Sequence, residues 1–252
     1  MDIEDKFAII AGGASGIGQA TALALAQLGA QVAILDLNEA LAKETAKACQ
    51  GKYFVCDITS DVSLQSAIQN ALSYFKSPVK IAINCAGIAP AKRLVGKTGP
   101  CPLDFFQSVI NVNLVGTYNV MRLVAESMCQ SEPDSSGERG VIINTASIAA
   151  YDGQIGQTAY AASKGGVVAL TLPAARELGP FGVRVMTIAP GLIDTPLLQA
   201  LPAEVKSTLK ETIPYPKRFG KPKEYASLAI EIIKNPLLNG EVIRLDGALR
   251  MT

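Results

Sequence analysis

Apolar residues along this chain gather into short runs separated by longer amphipathic stretches, and the two alternate almost from end to end. The runs at 7–11, 31–35, 52–56, 79–84, 141–145, 183–188 and 241–245 are nearly continuous in hydrophobicity, as strands buried on both faces must be. Between them lie segments with helical patterning: an Ala/Leu-rich stretch ending near Gly29, then 38–49, 61–76, 104–128, the segment around Tyr160, and 224–234. This rhythm predicts an α/β fold, a single-domain Rossmann-type doubly wound parallel sheet of about seven strands flanked by helices, spanning 1–252. Its site would lie beyond the carboxyl ends of the strands. Two stretches escape the rhythm. Residues 88–103 carry three prolines and two glycines and read as a long functional loop, and 193–215 read as an amphipathic cover over a substrate. Asn113 interrupts the apolar pattern of the 104–128 helix, which it disfavours, so a kink or a bound water is expected there.

Composition narrows the chemistry. At 49% hydrophobic and 18% charged residues, the chain can build a large core and is not disordered. A net charge of +1 gives no reason to expect nucleic acid as a partner. No apolar run reaches the length of a membrane span, and the acidic start MDIEDKF resembles neither a signal nor a transit peptide, so no membrane association is expected. The five cysteines form no CxxC pair and no metal spacing, which points to reduced thiols and to no metal site. Histidine is absent, so Ser-His-Asp and Cys-His catalysis are excluded. Proton chemistry must use tyrosine, lysine, a carboxylate or a thiol.

Two constellations meet that requirement. The first is a strand, the turn GGASGIG and a helix, with Gly12, Gly16 and Gly18 spaced for close approach to a pyrophosphate at the helix's positive end. Asp36, closing the next strand, falls where a carboxylate bonds the adenosine ribose and repels a 2′-phosphate. Ser15 and Leu37 bring no cation to reverse that choice, so NAD is expected rather than NADP. Asp57 follows the third strand and can reach an adenine ring, and NCAG (84–87) turns sharply after the fourth. Pro190-Gly191 turns the chain after the sixth strand, and Thr195 can bond a carboxamide or cap a helix ahead of Pro196. The second constellation is Ser147 with Tyr160 and Lys164. Tyrosine and lysine four apart share one helical face. A neighbouring ammonium favours the phenolate and lowers a pKa that is ordinarily near 10, and Ser147 can add a hydroxyl donor at the same point. That trio suits proton exchange with an alcohol or carbonyl oxygen. A small basic cluster, Lys217, Arg218, Lys221 and Lys223, is either solvated surface or a meeting point for a phosphate-bearing substrate tail.

With the glycine turn, NCAG, Asn113, Ser147, YxxxK and the PG turn in this order, the whole chain resembles the short-chain dehydrogenase/reductase family. AGGASGIG, NCAGIA, GQTAYAASKGG, RVMTIAPGLIDTPLL and NGEVIRLDGALRM resemble a branch acting on 3-hydroxyacyl-CoA. The resemblance implies that Tyr160 exchanges the proton, Ser147 orients the substrate oxygen, Lys164 lowers the Tyr160 pKa and holds the nicotinamide ribose, and Asn113 positions a relay water. It implies that Ile17 joins the glycine turn with Ser15 in holding NAD. Ile58, Cys85, Ala86, Gly87 and Ile193 would complete that cofactor wall, and Gln154 and Gln157 would line the substrate pocket. It further implies a homotetramer, acting on a small-molecule secondary alcohol or ketone in fatty acid metabolism. A hydroxysteroid dehydrogenase or 3-ketoacyl-thioester reductase is the alternative, and a protein scaffold in tRNA processing is a role of another class. The location implied is cytoplasmic for a bacterial chain and the mitochondrial matrix for a eukaryotic one. One departure stands out: Ala11 replaces the threonine usual in the family, so one bond bracing the glycine turn is missing.

Overall fold

The computed structural model describes residues 1–199 and 202–251. Its centre is a seven-stranded sheet, β1 (Phe7–Ala11), β2 (Gln31–Asp36), β3 (Lys52–Val55), β4 (Val79–Asn84), β7 (Gly140–Thr145), β8 (Val183–Pro190) and β9 (Val242–Leu245). The strands pair in the order β3-β2-β1-β4-β7-β8-β9, every pair parallel. The order reverses between β1 and β4, which opens a crevice at their carboxyl ends.

Alternate residues of each strand enter opposite cores, which is why the runs had to be apolar throughout. Ala8, Ile10, Ile34, Ile83, Ile143 and Ile188 pack against α1 (Gly16–Gln27), α2 (Glu39–Ala48) and α9 (Pro222–Lys234). Phe7, Ile9, Leu35, Ala82, Ile142 and Val185 pack against α3 (Asp61–Phe75), α5 (Thr117–Cys129) and α6 (Thr158–Leu178). Asn38 and Ser60 start α2 and α3 by accepting the backbone N–H of Leu41 and Ser63.

Two places differ from the sequence reading, and a third gains detail. The stretch 88–103 is not featureless: β5 (Val95–Gly96) and β6 (Gly99–Pro100) form a small antiparallel hairpin within it. The segment read as one helix from 104 to 128 is α4 (Leu103–Ile110), a π-turn over Asn111–Gly116, and α5. Asn113 lies inside that π-turn, so the polar residue marks a break in helical register, as π-bulges at functional sites do. Within 193–215 the chain forms α7 (Pro196–Gln199) and α8 (Ala203–Glu211), the latter burying none of its own residues; Ala200 and Leu201 lie outside the described residues. No helix among the described residues is long and apolar enough to cross a membrane.

Candidate active site

A cavity of about 840 Å³ opens beyond the carboxyl ends of the strands and is lined by segments that follow β1, β2, β3, β4, β7 and β8. Its first half is the glycine turn. Ser15 precedes α1 with an extended backbone and no side-chain cap bond, leaving the helix's leading N–H groups facing the cavity without an internal partner. Gly12 has φ +74°, and a Cβ there would lie 2.4 Å from the Ala86 nitrogen. A Cβ on Gly18 would lie 2.1 Å from the Gly12 carbonyl oxygen. Gly12, Ser15, Gly16 and Ile17 line the cavity, whereas Gly18 does not; it lets the turn close on the helix from behind.

The turn is also tied laterally. Asp36 Oδ2 accepts the Ala14 N–H at 3.1 Å, and its Oδ1 accepts the Asn38 N–H at 3.0 Å. Thr45 Oγ1, in α2, donates to the Ala14 carbonyl at 3.3 Å and accepts from Gln19 Nε2 at 3.0 Å. The Ala14 peptide is thereby held at both ends, which supplies bracing that the missing Ala11 hydroxyl cannot. Asp57 Oδ1 accepts from Thr59 N and Oγ1 at 2.8 and 2.7 Å, so that carboxylate is shaped by its own turn at the cavity edge. Ile58 follows it and packs over Gly116, where a Cβ would reach within 2.6 Å of Ile58 Cδ1 and push that side chain aside. Cys85, Ala86 and Gly87 form the floor; burial pushes the Cys85 thiol up to about 11, so it is a wall residue rather than a nucleophile. Pro190, Ile193 and Thr195 line the opposite side. Thr195 accepts the Leu198 N–H at 3.5 Å, so it does serve as the helix cap of α7 while facing the cavity.

The second half brings Ser147, Tyr160 and Lys164 together. Ser147 leaves β7 in an extended conformation and accepts the Ala149 N–H at 3.1 Å, which orients its hydroxyl. Lys164 is 4% exposed, and its ammonium donates to the Thr145 carbonyl at 2.8 Å and lies 5.9 Å from the centre of the Tyr160 ring. Burial lowers the Lys164 pKa to about 8. Burial also pushes the Tyr160 phenol above its ordinary value, with a hydrogen bond to Ser147 pulling it down. This differs from the sequence expectation that Lys164 lowers the phenol. The ammonium lies 5.9 Å from the ring centre and donates to the Thr145 carbonyl, and burial is the largest influence on the phenol.

Asn113 does not line the cavity. Fully buried, it accepts the Ile88 N–H and donates to the Ile88 carbonyl, each at 2.9 Å, and donates to Ser163 Oγ at 3.0 Å. Ser163 in turn donates to the Tyr160 carbonyl at 2.7 Å. The π-turn thus clasps the loop after β4 to the first turn of α6. Gln154 and Gln157 face the cavity near Tyr160, with Gln157 Oε1 accepting the Gln154 N–H at 3.0 Å.

The basic cluster is not brought into the cavity. Arg218 forms a two-bond pair with Glu224 at 2.9 and 2.7 Å, which holds that carboxyl down at about 2. Sequence reasoning missed Ser163, although it stands beside Lys164 in AASK, and the Thr145 carbonyl, a backbone atom that no motif encodes. It also missed Val205, Leu209 and Met251, which reach the cavity from α8 and the C-terminal tail.

Residues 6–206 match the family model described as short chain dehydrogenase. The chain is 54% identical over 255 residues to the 3-hydroxyacyl-CoA dehydrogenase type-2 of Homo sapiens, covering 99% of this chain and 97% of that protein. It is 50% identical to the protein of the same name from Drosophila melanogaster, covering 99% of each. The crystal structure of 3-hydroxyacyl-CoA dehydrogenase type-2 from Mycobacterium avium superposes with a TM-score of 0.93 at 41% identity, covering 100% of this chain and 99% of that one.

Proposed function

This chain belongs to the short-chain dehydrogenase family and is an oxidoreductase of the nicotinamide-dependent kind, and we propose that it oxidises a 3-hydroxyacyl-CoA to the 3-ketoacyl-CoA with NAD. The observation that carries the reading is the joining, in one cavity, of a glycine turn tied to Asp36 and a Ser147–Tyr160–Lys164 cluster. Likeness to relatives named for that reaction supports the substrate class.

The residues fit the cofactor. The open N-terminus of α1 suits a pyrophosphate, and Asp36 keeps lone pairs for ribose hydroxyls after accepting two backbone N–H groups. Among the described lining residues Lys164 is the one cation, and it lies at the far end from Asp36, which favours NAD over its 2′-phosphorylated form. The nicotinamide supplies hydride acceptance at its ring carbon.

The chain's own residues handle the proton and the geometry. Ser147 donates its hydroxyl to the substrate oxygen and Tyr160 takes the proton from it. Lys164 holds a positive charge beside the phenol ring, while the hydrogen bond to Ser147 offsets part of the burial that disfavours the phenolate. It also presents donors to the nicotinamide ribose. Asn113 fixes Ile88 and, through Ser163, the start of α6, so its part here is to hold these groups in register. Gln154 and Gln157 offer amide groups to the thioester region.

The reverse reaction, reduction of a 3-ketoacyl thioester, has a relative in the Thermotoga maritima 3-oxoacyl-[acyl-carrier-protein] reductase, 35% identical. Initial rates with 3-hydroxybutyryl-CoA and NAD, set against acetoacetyl-CoA with NADPH, decide between them. NAD-linked oxidation is expected, and a strong preference for NADPH would overturn the reading. We also propose a homotetramer built through α4, α5 and α6. Leu103, Phe106, Val115, Tyr118 and Leu172 leave an apolar surface exposed along those helices and the π-turn between α4 and α5. Light scattering at the mass of a monomer would refute it.

A further inference from the structure

One guanidinium near the cavity takes no part in the chemistry above. Arg244, in β9, is 22% exposed, and its Nη2 donates to Asp152 Oδ2 at 2.5 Å while its Nε donates to Asp246 Oδ2 at 2.7 Å. The same Nη2 donates to the Leu249 carbonyl at 3.0 Å, and the guanidinium stands 5.1 Å from the centre of the Tyr151 ring. The turn at 151–152, distant in sequence, and the chain from 246 to 249 therefore meet on one rigid fork.

Both segments carry cavity residues. Residues 151–157 leave the short helix after Ser147 without regular structure and bring Gln154 and Gln157 to the cavity. They contain Gly153 and Gly156, the latter at φ +87°, and Ile155 is 82% exposed. Such a stretch has little burial of its own to hold it, so the Asp152 tie to the sheet weighs heavily. The other segment, 246–251, turns through Gly247 and Ala248 with positive φ and wraps Asp246 around Arg244 and Arg250. It buries Leu249 against Ile148 and Ile213, and sets Met251 at the cavity.

We propose that Arg244 is a positioning residue that sets substrate affinity from outside the cavity, by clamping the Gln154–Gln157 turn and the C-terminal tail to the edge of the sheet. The inference rests on the reading that the Ser147–Tyr160 side of the cavity receives the alcohol. Removing the guanidinium leaves Asp152 without a cation while Asp246 keeps Arg250, so the turn should release outward.

The test compares Arg244→Gln, Arg244→Lys, Asp152→Asn and the Arg244→Gln/Asp152→Asn double variant. Readouts are kinetics with 3-hydroxybutyryl-CoA and NAD, NADH binding by fluorescence, and hydrogen exchange by segment. Arg244→Gln should raise KM for the thioester about tenfold with kcat changed less than about threefold, since misplacement of a positioning wall acts on binding geometry. NADH affinity should stay unchanged, and exchange should quicken in 150–157 and 246–251 but not in 12–18. Arg244→Lys should rescue partly, Asp152→Asn should reproduce the KM effect, and the double variant should be no worse than Arg244→Gln alone. Unchanged KM and exchange, or an equal loss of NADH binding and protection throughout the chain, would overturn the proposal. If the protein as isolated does not turn over 3-hydroxybutyryl-CoA, the substrate reading fails, while the exchange arm still decides whether Arg244 holds those two segments.

Discussion

Replacing Asp36 by Asn tests the cofactor argument at a single atom. A phosphate seated about 4 Å from a carboxylate, at an effective dielectric of about 20, is repelled by about 4 kcal/mol per charge. At about 1.4 kcal/mol per tenfold, that corresponds to roughly a thousandfold preference for NAD over NADP. Asp36→Asn removes the charge and replaces one acceptor oxygen by an amide nitrogen, which cannot accept. Either Ala14 N–H or Asn38 N–H then loses its partner. At about 1 kcal/mol for one partly exposed hydrogen bond, kcat/KM with NAD should fall about fivefold. With NADP it should rise, and the NAD-to-NADP ratio should collapse by about two to three orders of magnitude. Initial rates with each cofactor at saturating alcohol give both values. A ratio that survives the substitution would refute the electrostatic account. A ratio that falls only because the NAD rate collapses would show instead that Asp36 acts as a brace for the Ala14 peptide.

Four further outcomes follow from the same geometry. Tyr160→Phe should lower kcat by about 10²–10⁴-fold while leaving NADH binding and melting temperature nearly unchanged, because only the proton-exchanging hydroxyl is lost. Lys164 releases its proton near pH 8 in the fold but at 10.5 when unfolded. The native state is therefore penalised below pH 8, and the penalty is relieved as the pH rises from about 8 toward 10.5. Urea midpoints across that range should rise for the natural protein relative to Lys164→Met, and parallel curves would refute the burial argument. Asn113→Ala should remove two part-buried bonds to the Ile88 backbone and one buried bond to Ser163, and lower stability by about 1–3 kcal/mol, read by urea unfolding. Gly18→Ala forces a Cβ to within 2.1 Å of the Gly12 carbonyl, so NADH affinity measured by fluorescence should drop sharply with little change in the rest of the fold.

Much of the fold could be read from the sequence because burial on both faces demands continuous apolar runs, and β1, β2, β4, β7 and β8 obey that rule. The cofactor turn was legible for a similar local reason: strand, glycines and helix lie within one short segment, and Asp36 ends the next strand. Tyr160 and Lys164 share a helix, so their adjacency follows from the helical repeat. Asn113 announced itself only as an oddity; that it breaks the helix into a π-turn and clasps Ile88 needed the folded chain.

What the tertiary structure alone decided are relations between segments far apart in sequence, and quantities that depend on desolvation. Whether Lys164 faces the Tyr160 hydroxyl or the Thr145 carbonyl depends on where β7 ends beside α6. The direction of the Tyr160 shift depends on how much water the cavity walls exclude. The engagement of Arg218 by Glu224, the two-ended hold on Ala14 by Asp36 and Thr45, and the meeting of Arg244 with Asp152 have no periodic signature in the chain. Periodicity and turn chemistry act over a few residues, whereas electrostatic partners and solvent exclusion are set only once distant elements have packed.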